Sequence, residues 1–123
     1  MSIVPDAQLS ALDQLTAADA DALDFGVIRL DDEGLVTLYN AWEARMAKVL
    51  PEAALGRNFF QEIAPCTDNA LFEGRFTAGV QAGELDVTLD YVFSYRMDPL
   101  SVKVRMYRHS ASGTNWIFVQ RAI

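Results

Sequence analysis

The clearest pattern lies in the last third of the chain. In LDVTLDYVFSYRM (85–97), Leu85, Val87, Leu89, Tyr91, Phe93, Tyr95 and Met97 alternate with residues that are mostly polar. A period of two sustained over this stretch predicts a strand with one buried face and one wet face. MDPL supplies a turn. VKVRMYR then alternates again, with Val102, Val104 and Met106 inward. SASGT is a second turn, and NWIFVQ is the last strand.

The first two thirds mix periods. FGVIRL (25–30), DDEG (31–34) and LVTLYN (35–40) read as strand, turn, strand, because the Asp/Glu/Gly cluster carries turn chemistry between apolar runs. Asn40 is placed to cap a helix in AWEARMAKVL. Pro51 starts another short turn that Gly56 stops, and NFFQEIA forms a further helical turn. Phe72, Phe76 and Val80 share one helical face, and Gly83 ends that helix. Residues 8–23 show helical spacing through Leu9, Leu12, Leu15 and Leu23, with Thr16 able to cap a second short helix. So few leucines anchor this segment that it is expected to be the least stable part of the fold.

The order of elements predicts an α+β domain. A central antiparallel β-sheet of about five strands is flanked by short helices, one longer connecting helix and an N-terminal helical cap. The cap is placed at 1–24 and the core at 25–123, together one domain. No internal repeat or low-complexity linker interrupts it.

Composition narrows the function classes. The chain has 123 residues, 51% hydrophobic and 22% charged, which suits one folded domain and argues against wholesale disorder. No apolar run approaches a membrane span, and the N-terminus lacks a signal-peptide pattern, so a cytoplasmic location is expected. A monomer is the expectation for its assembly, though nothing in the sequence fixes the oligomeric state. A net charge of −7 argues against nucleic acid as the main partner. Eight of the 17 acids fall in residues 1–33 with Arg29 as the only base, whereas Arg96, Lys103, Arg105, Arg108 and Arg121 face Asp98 alone near the C-terminus. This asymmetry reads either as a solvated acidic surface or as an acidic cap resting on a more basic sheet face.

Candidate chemistry is sparse. His109, the single histidine, sits at a strand end expected to be solvated and without an orienting carboxylate. With one Cys and one His, a four-ligand structural metal site cannot be built. Cys66, the only cysteine, lies in EIAPCTDN (62–69). A lone Cys reads as a small buried hydrophobe or as a site of chemistry. Tyr39 ends a strand, as a core tyrosine or a donor. Glu43 sits one helical turn later between Trp42 and Met46, as an exposed helix carboxylate or a buried acid. Jointly, a thiol, a phenol and a buried carboxyl are what a covalently attached anionic ligand needs.

Five segments resemble one known family. They are GRNFFQEIAPCTD (56–68), YNAWE (39–43), LDFGVIRLDDEG (23–34), YVFSYRMDP (91–99) and SGTNWIFVQR (112–121), collinear over nearly the whole chain. The sequence is similar to the photoactive yellow proteins, bacterial blue-light photoreceptors with a PAS-like fold. The resemblance implies p-coumaric acid as chromophore, thioester-linked to Cys66. Tyr39 and Glu43 would donate to its phenolate, and Glu43 would then give up its proton. Light-driven trans–cis isomerisation and partial unfolding of the N-terminus would follow, with no substrate consumed. Ala64, Phe93, Tyr95, Met97, Ile28 and Phe59 are expected to line the pocket, with Phe60 and Ile63 as further candidates for lining or core.

The chain departs from that family at two places. Well-known members carry an arginine six positions after the glutamate, where this chain has Val49, and a threonine four positions after it, here Ala47. Arg96 and Arg45 are the candidate replacement cations. These changes bear on solvent exposure and cycle rate, because the Tyr/Glu/Cys trio is intact. The competing classes are a chromophore-free PAS-like interaction module and a cysteine-dependent enzyme. The downstream signalling partner is unknown from sequence.

Overall fold

The computed structural model describes residues 9–94 and 99–121. Five antiparallel strands form one sheet: β1 (Gly26–Leu30), β2 (Val36–Tyr39), β3 (Asp86–Phe93), β4 (Leu100–His109) and β5 (Thr114–Arg121). Their spatial order is β2-β1-β5-β4-β3. The chain's first hairpin therefore lies beside its last strand, and β3 forms the far edge. Between the two sets of strands come α2 (Ala41–Ala47), α3 (Pro51–Ala54), a π turn (Phe59–Ile63), a 3₁₀ turn (Pro65–Thr67) and α4 (Glu73–Ala82). Ahead of β1 are a 3₁₀ turn (Leu12–Gln14) and α1 (Ala17–Asp21).

Local chemistry explains most boundaries. Thr16 caps α1 through a reciprocal box with Asp19: its hydroxyl accepts from Asp19 N at 3.1 Å, and Asp19 Oδ2 accepts from Thr16 N at 3.2 Å. The AWEARMAKVL helix is shorter than its sequence pattern, because Lys48 takes a left-handed φ of 60° and ends it after Ala47. NFFQEIA winds as a π turn, with Asn58 accepting from Phe60 N and Gln61 N. Gly34 turns the DDEG hairpin at φ 88°, and a Cβ there would stand 3.3 Å from the Phe60 ring.

Alternation along the strands separates two apolar layers. Ile28, Leu30, Tyr39, Val102, Val104, Met106, Ile117 and Val119 face the helices and join the main core. The opposite face carries Val27, Leu38, Trp116 and Phe118, which pack with Leu9, Leu12 and Ala20 of the N-terminal segment. These last three residues fall within the expected cap of 1–24, of which 1–8 lie outside the described residues, and they pack on the outer face of the sheet. The segment meets one basic side chain there, with Asp13 Oδ2 3.2 Å from His109 Nε2. His109 is therefore not the solvated, carboxylate-free group expected from sequence; its side chain is 13% exposed and faces an acid from the far end of the chain. Arg29 and Arg105 lie over the rings of Trp116 and Tyr107 on this face. The edge strand keeps its wet side, with Asp86, Thr88, Asp90 and Val92 exposed.

Candidate functional site

Tyr39 is the last residue of β2 and points to the core side, opposite Ile28 in the ladder. The next residue, Asn40, is fully buried and caps α2. Its Oδ1 accepts from Glu43 N at 3.2 Å and from Val27 N at 3.0 Å. Its Nδ2 donates to Ala20 O and Phe25 O, both at 2.9 Å. The cap thus fixes the first turn of α2 and turns the Glu43 side chain inward. Gly26 makes this possible, since a Cβ there would collide with Glu43 Oε1 and press on Val119 and Trp42.

Glu43 is 3% exposed and Tyr39 is 5% exposed. Tyr39 Oη and Glu43 Oε1 are both buried with no hydrogen-bond partner among the described residues. Leaving such a group unpaired costs about 1–3 kcal/mol, so two together are unusual for a merely structural core. Burial pushes the Glu43 carboxyl up to about 7. The Tyr39 phenol is raised beyond its ordinary range, by burial first and by the neighbouring Glu43 charge second.

The two groups line one cavity with Ala47, Phe59, Ile63, Ala64, Cys66 and Phe93. Cys66 is half-buried on its wall, in the turn Pro65–Thr67 that follows the π turn. The cavity measures about 10 Å³, about the room of one water, so the chain's own side chains nearly close it.

Most residues singled out in the sequence converge here. Ile28 does not: it is fully buried in the core behind and is not on the cavity wall. Phe60 likewise packs away, against Phe76 at 5.0 Å and Phe59 at 5.3 Å. Tyr95, Met97 and Arg96 lie outside the described residues. Of the two departures, Ala47 borders the cavity, whereas Val49 is a core residue 5% exposed and is not on its wall. Arg45 is exposed and stands apart from the cavity.

Sequence reasoning missed the residues that hold the cysteine turn. Tyr91 of β3 donates its O–H to Cys66 O at 2.5 Å. Asn69 Nδ2 reaches Cys66 O at 3.1 Å and Tyr91 Oη at 2.7 Å. A signal was present: a hydroxyl-tipped ring on the apolar side of an alternating strand needs a polar partner.

A thiol and two unpaired buried oxygens on the wall of one cavity are the groups that could hold an acyl ligand with an oxyanion, once the side chains that nearly close the cavity make room for it. Comparison with known proteins agrees. Residues 16–123 match the PAS fold family. The photoactive yellow protein of Rhodothalassium salexigens is 44% identical over 112 residues, 91% of this chain and 90% of that protein. That of Halochromatium salexigens is 41% identical over the same coverage. The crystal structure of the photoactive yellow protein domain from the sensor histidine kinase Ppr of Rhodospirillum centenum superposes with a TM-score of 0.86, at 41% identity, covering 92% of this chain and 99% of that one. A buried Tyr/Glu pair that shares a cavity wall with the single cysteine, with relatives at these identities along nearly the whole length, makes the chain a member of the photoactive yellow protein family of photoreceptors, on the PAS fold.

Proposed function

We propose that the protein senses blue light through p-coumaric acid held as a thioester on Cys66. The observation that carries this reading is the pair of unpaired buried oxygens, Tyr39 Oη and Glu43 Oε1, in the cavity that Cys66 borders. When bound, the group supplies a phenolate, a light-isomerisable double bond and a thioester carbonyl. Attachment requires an activated carboxyl: the Cys66 S–H and the acyl–leaving-group bonds break, an S–C bond forms, and the proton goes to the leaving group.

Tyr39 holds its proton firmly, because burial raises its phenol, and so serves as a hydrogen-bond donor. Glu43 donates only while protonated. Its carboxyl at about 7 is already poised between forms, and an anion beside it raises it further. Releasing that proton leaves a carboxylate in a site with no cation on its wall among the described residues, at a cost of several kcal/mol. Asn40 bonds both to Glu43 N and to Ala20 O, so strain at the start of α2 reaches the cap directly. We infer that residues 1–24 act as a releasable cap on a core of 25–123, an order-to-disorder output. The downstream partner is then a protein that reads the released cap or the uncovered sheet face.

Intact-mass measurement after reconstitution with activated p-coumarate tests the reading. The parent gains one coumaroyl group and turns yellow, and Cys66→Ser gains none. A parent that takes no adduct is a chromophore-free PAS module instead.

A further inference from the structure

We propose that Tyr91 and Asn69 are positioning residues for Cys66, clamping its backbone carbonyl so that its side chain is held at the cavity wall. This rests on Cys66 as the attachment point.

The clamp is visible as a closed set of bonds. Cys66 O accepts from Tyr91 Oη at 2.5 Å and from Asn69 Nδ2 at 3.1 Å, and the two donors also touch each other at 2.7 Å. The peptide group on the far side of Cys66 is held too, because Pro65 O accepts from Asp68 N at 3.1 Å. Thr67 fastens the turn from behind, its N–H and its hydroxyl both donating to Ala64 O, at 2.8 and 2.6 Å. With both flanking peptide groups fixed, the main freedom left to Cys66 is its own χ1.

The clamping groups are themselves anchored. The Tyr91 ring packs edge-on to Phe72 at 5.1 Å and to Phe93 at 5.8 Å, and Phe93 borders the cavity. Asn69 Oδ1 accepts from Phe72 N at 3.0 Å, tying the clamp to the start of α4. A carbonyl needs one donor to be satisfied on burial. Two side-chain donors, one brought from a strand 25 positions away, exceed what an inert core cysteine requires. A covalent group that must rotate and return does require a fixed anchor, since each return otherwise has to recover the lost orientation.

Because the chain has one cysteine, carbonyl-¹³C cysteine marks this single C=O for infrared spectroscopy. In Tyr91→Phe and in Asn69→Ala, the marked band moves to higher frequency as a donor is lost. Dark recovery of the loaded protein slows by about two- to tenfold, the range for one hydrogen bond. In the unloaded chain, modification of Cys66 by dithionitrobenzoate quickens by a similar factor. Thr77→Ala, which removes a side-chain bond to Glu73 on α4, is the control for general loosening. An unmoved band refutes the clamp. A moved band with unchanged recovery and modification, or changes matched by Thr77→Ala, makes Tyr91 a fold staple and overturns the proposal. If the parent takes no coumaroyl group the light-sensor reading fails, and the thiol-modification arm still decides the clamp.

Discussion

Glu43→Gln in the chromophore-free chain isolates the cost of ionising the buried acid. The carboxyl rises from 4.5 in an ordinary setting to about 7 in the fold, with burial as its cause. Between those values the unfolded chain has lost the proton and the folded one retains it. The native state therefore binds more protons, and its stability falls as pH rises through this window. The gap corresponds to about 3 kcal/mol, fully lost above the folded value. Gln keeps the shape without the charge, so the variant escapes this loss. Urea unfolding from pH 4.5 to 8 should show the variant gaining about 3 kcal/mol on the parent, or on the order of 10 °C in melting temperature. Asp32 works in the opposite sense, because hydrogen bonds from Arg108 and Asn115 lower it. Its stabilisation is lost as pH falls, but it is common to both proteins and cancels in the difference. A gap between variant and parent that does not change with pH would refute the reasoning. It would mean that water or a cation reaches Glu43, and that releasing its proton carries no energy for a signal.

Two further outcomes follow from the cap. Asn40→Ala removes four hydrogen bonds at one buried point and should cost on the order of 2–3 kcal/mol in urea unfolding. Hydrogen exchange should show the loss concentrated in residues 9–24, and a loss confined to α4 would contradict the linkage. Asp13→Asn removes the contact with His109 and should raise exchange in residues 9–15 by up to about fivefold at low salt. The difference should shrink in 1 M salt.

Where the sequence was legible, a single periodicity governed the residues. β3 and β4 show clean alternation, because each has one covered face and one more open one. β1 and β5 read only as apolar runs, because Val27, Trp116 and Phe118 are buried under the cap while Ile28 and Ile117 are buried under the helices. Asn40 was legible as a helix cap, but its bonds to Ala20 and Phe25 join segments that no local pattern connects. Glu43 shows the limit more sharply. A carboxyl on the first turn of a short helix is ordinarily exposed, and nothing local marks this one as buried; its inward turn depends on Gly26, in a different strand. His109 failed for the same reason, its acid partner lying near the opposite terminus. Motif resemblance located Cys66, Tyr39 and Glu43, whereas the donors to the Cys66 carbonyl come from pairing between β3 and the cysteine turn.

The strand period also decides how a cavity on one face can speak to a segment on the other. Along β1, Val27 faces the cap and Ile28 faces the core; along β2, Leu38 faces the cap and Tyr39 the cavity. Neighbouring residues of one strand therefore border two separate apolar layers, and a side chain in either layer cannot touch the other through the sheet. Communication has to pass around the end of the strand. Asn40 stands at that end, immediately after Tyr39, with one polar group on Glu43 N and the other on Ala20 and Phe25. Ala41 adds a parallel link, its N–H donating to Asp21 Oδ1 at 2.8 Å. The route from the buried acid to the cap is thus one residue long in sequence and made of hydrogen bonds whose individual strength is about 1 kcal/mol. Ionising Glu43, worth about 3 kcal/mol here, exceeds any one of those bonds while staying below a typical domain's total stability. On the proposed reading, that ordering of energies would let the cap yield while the sheet persists.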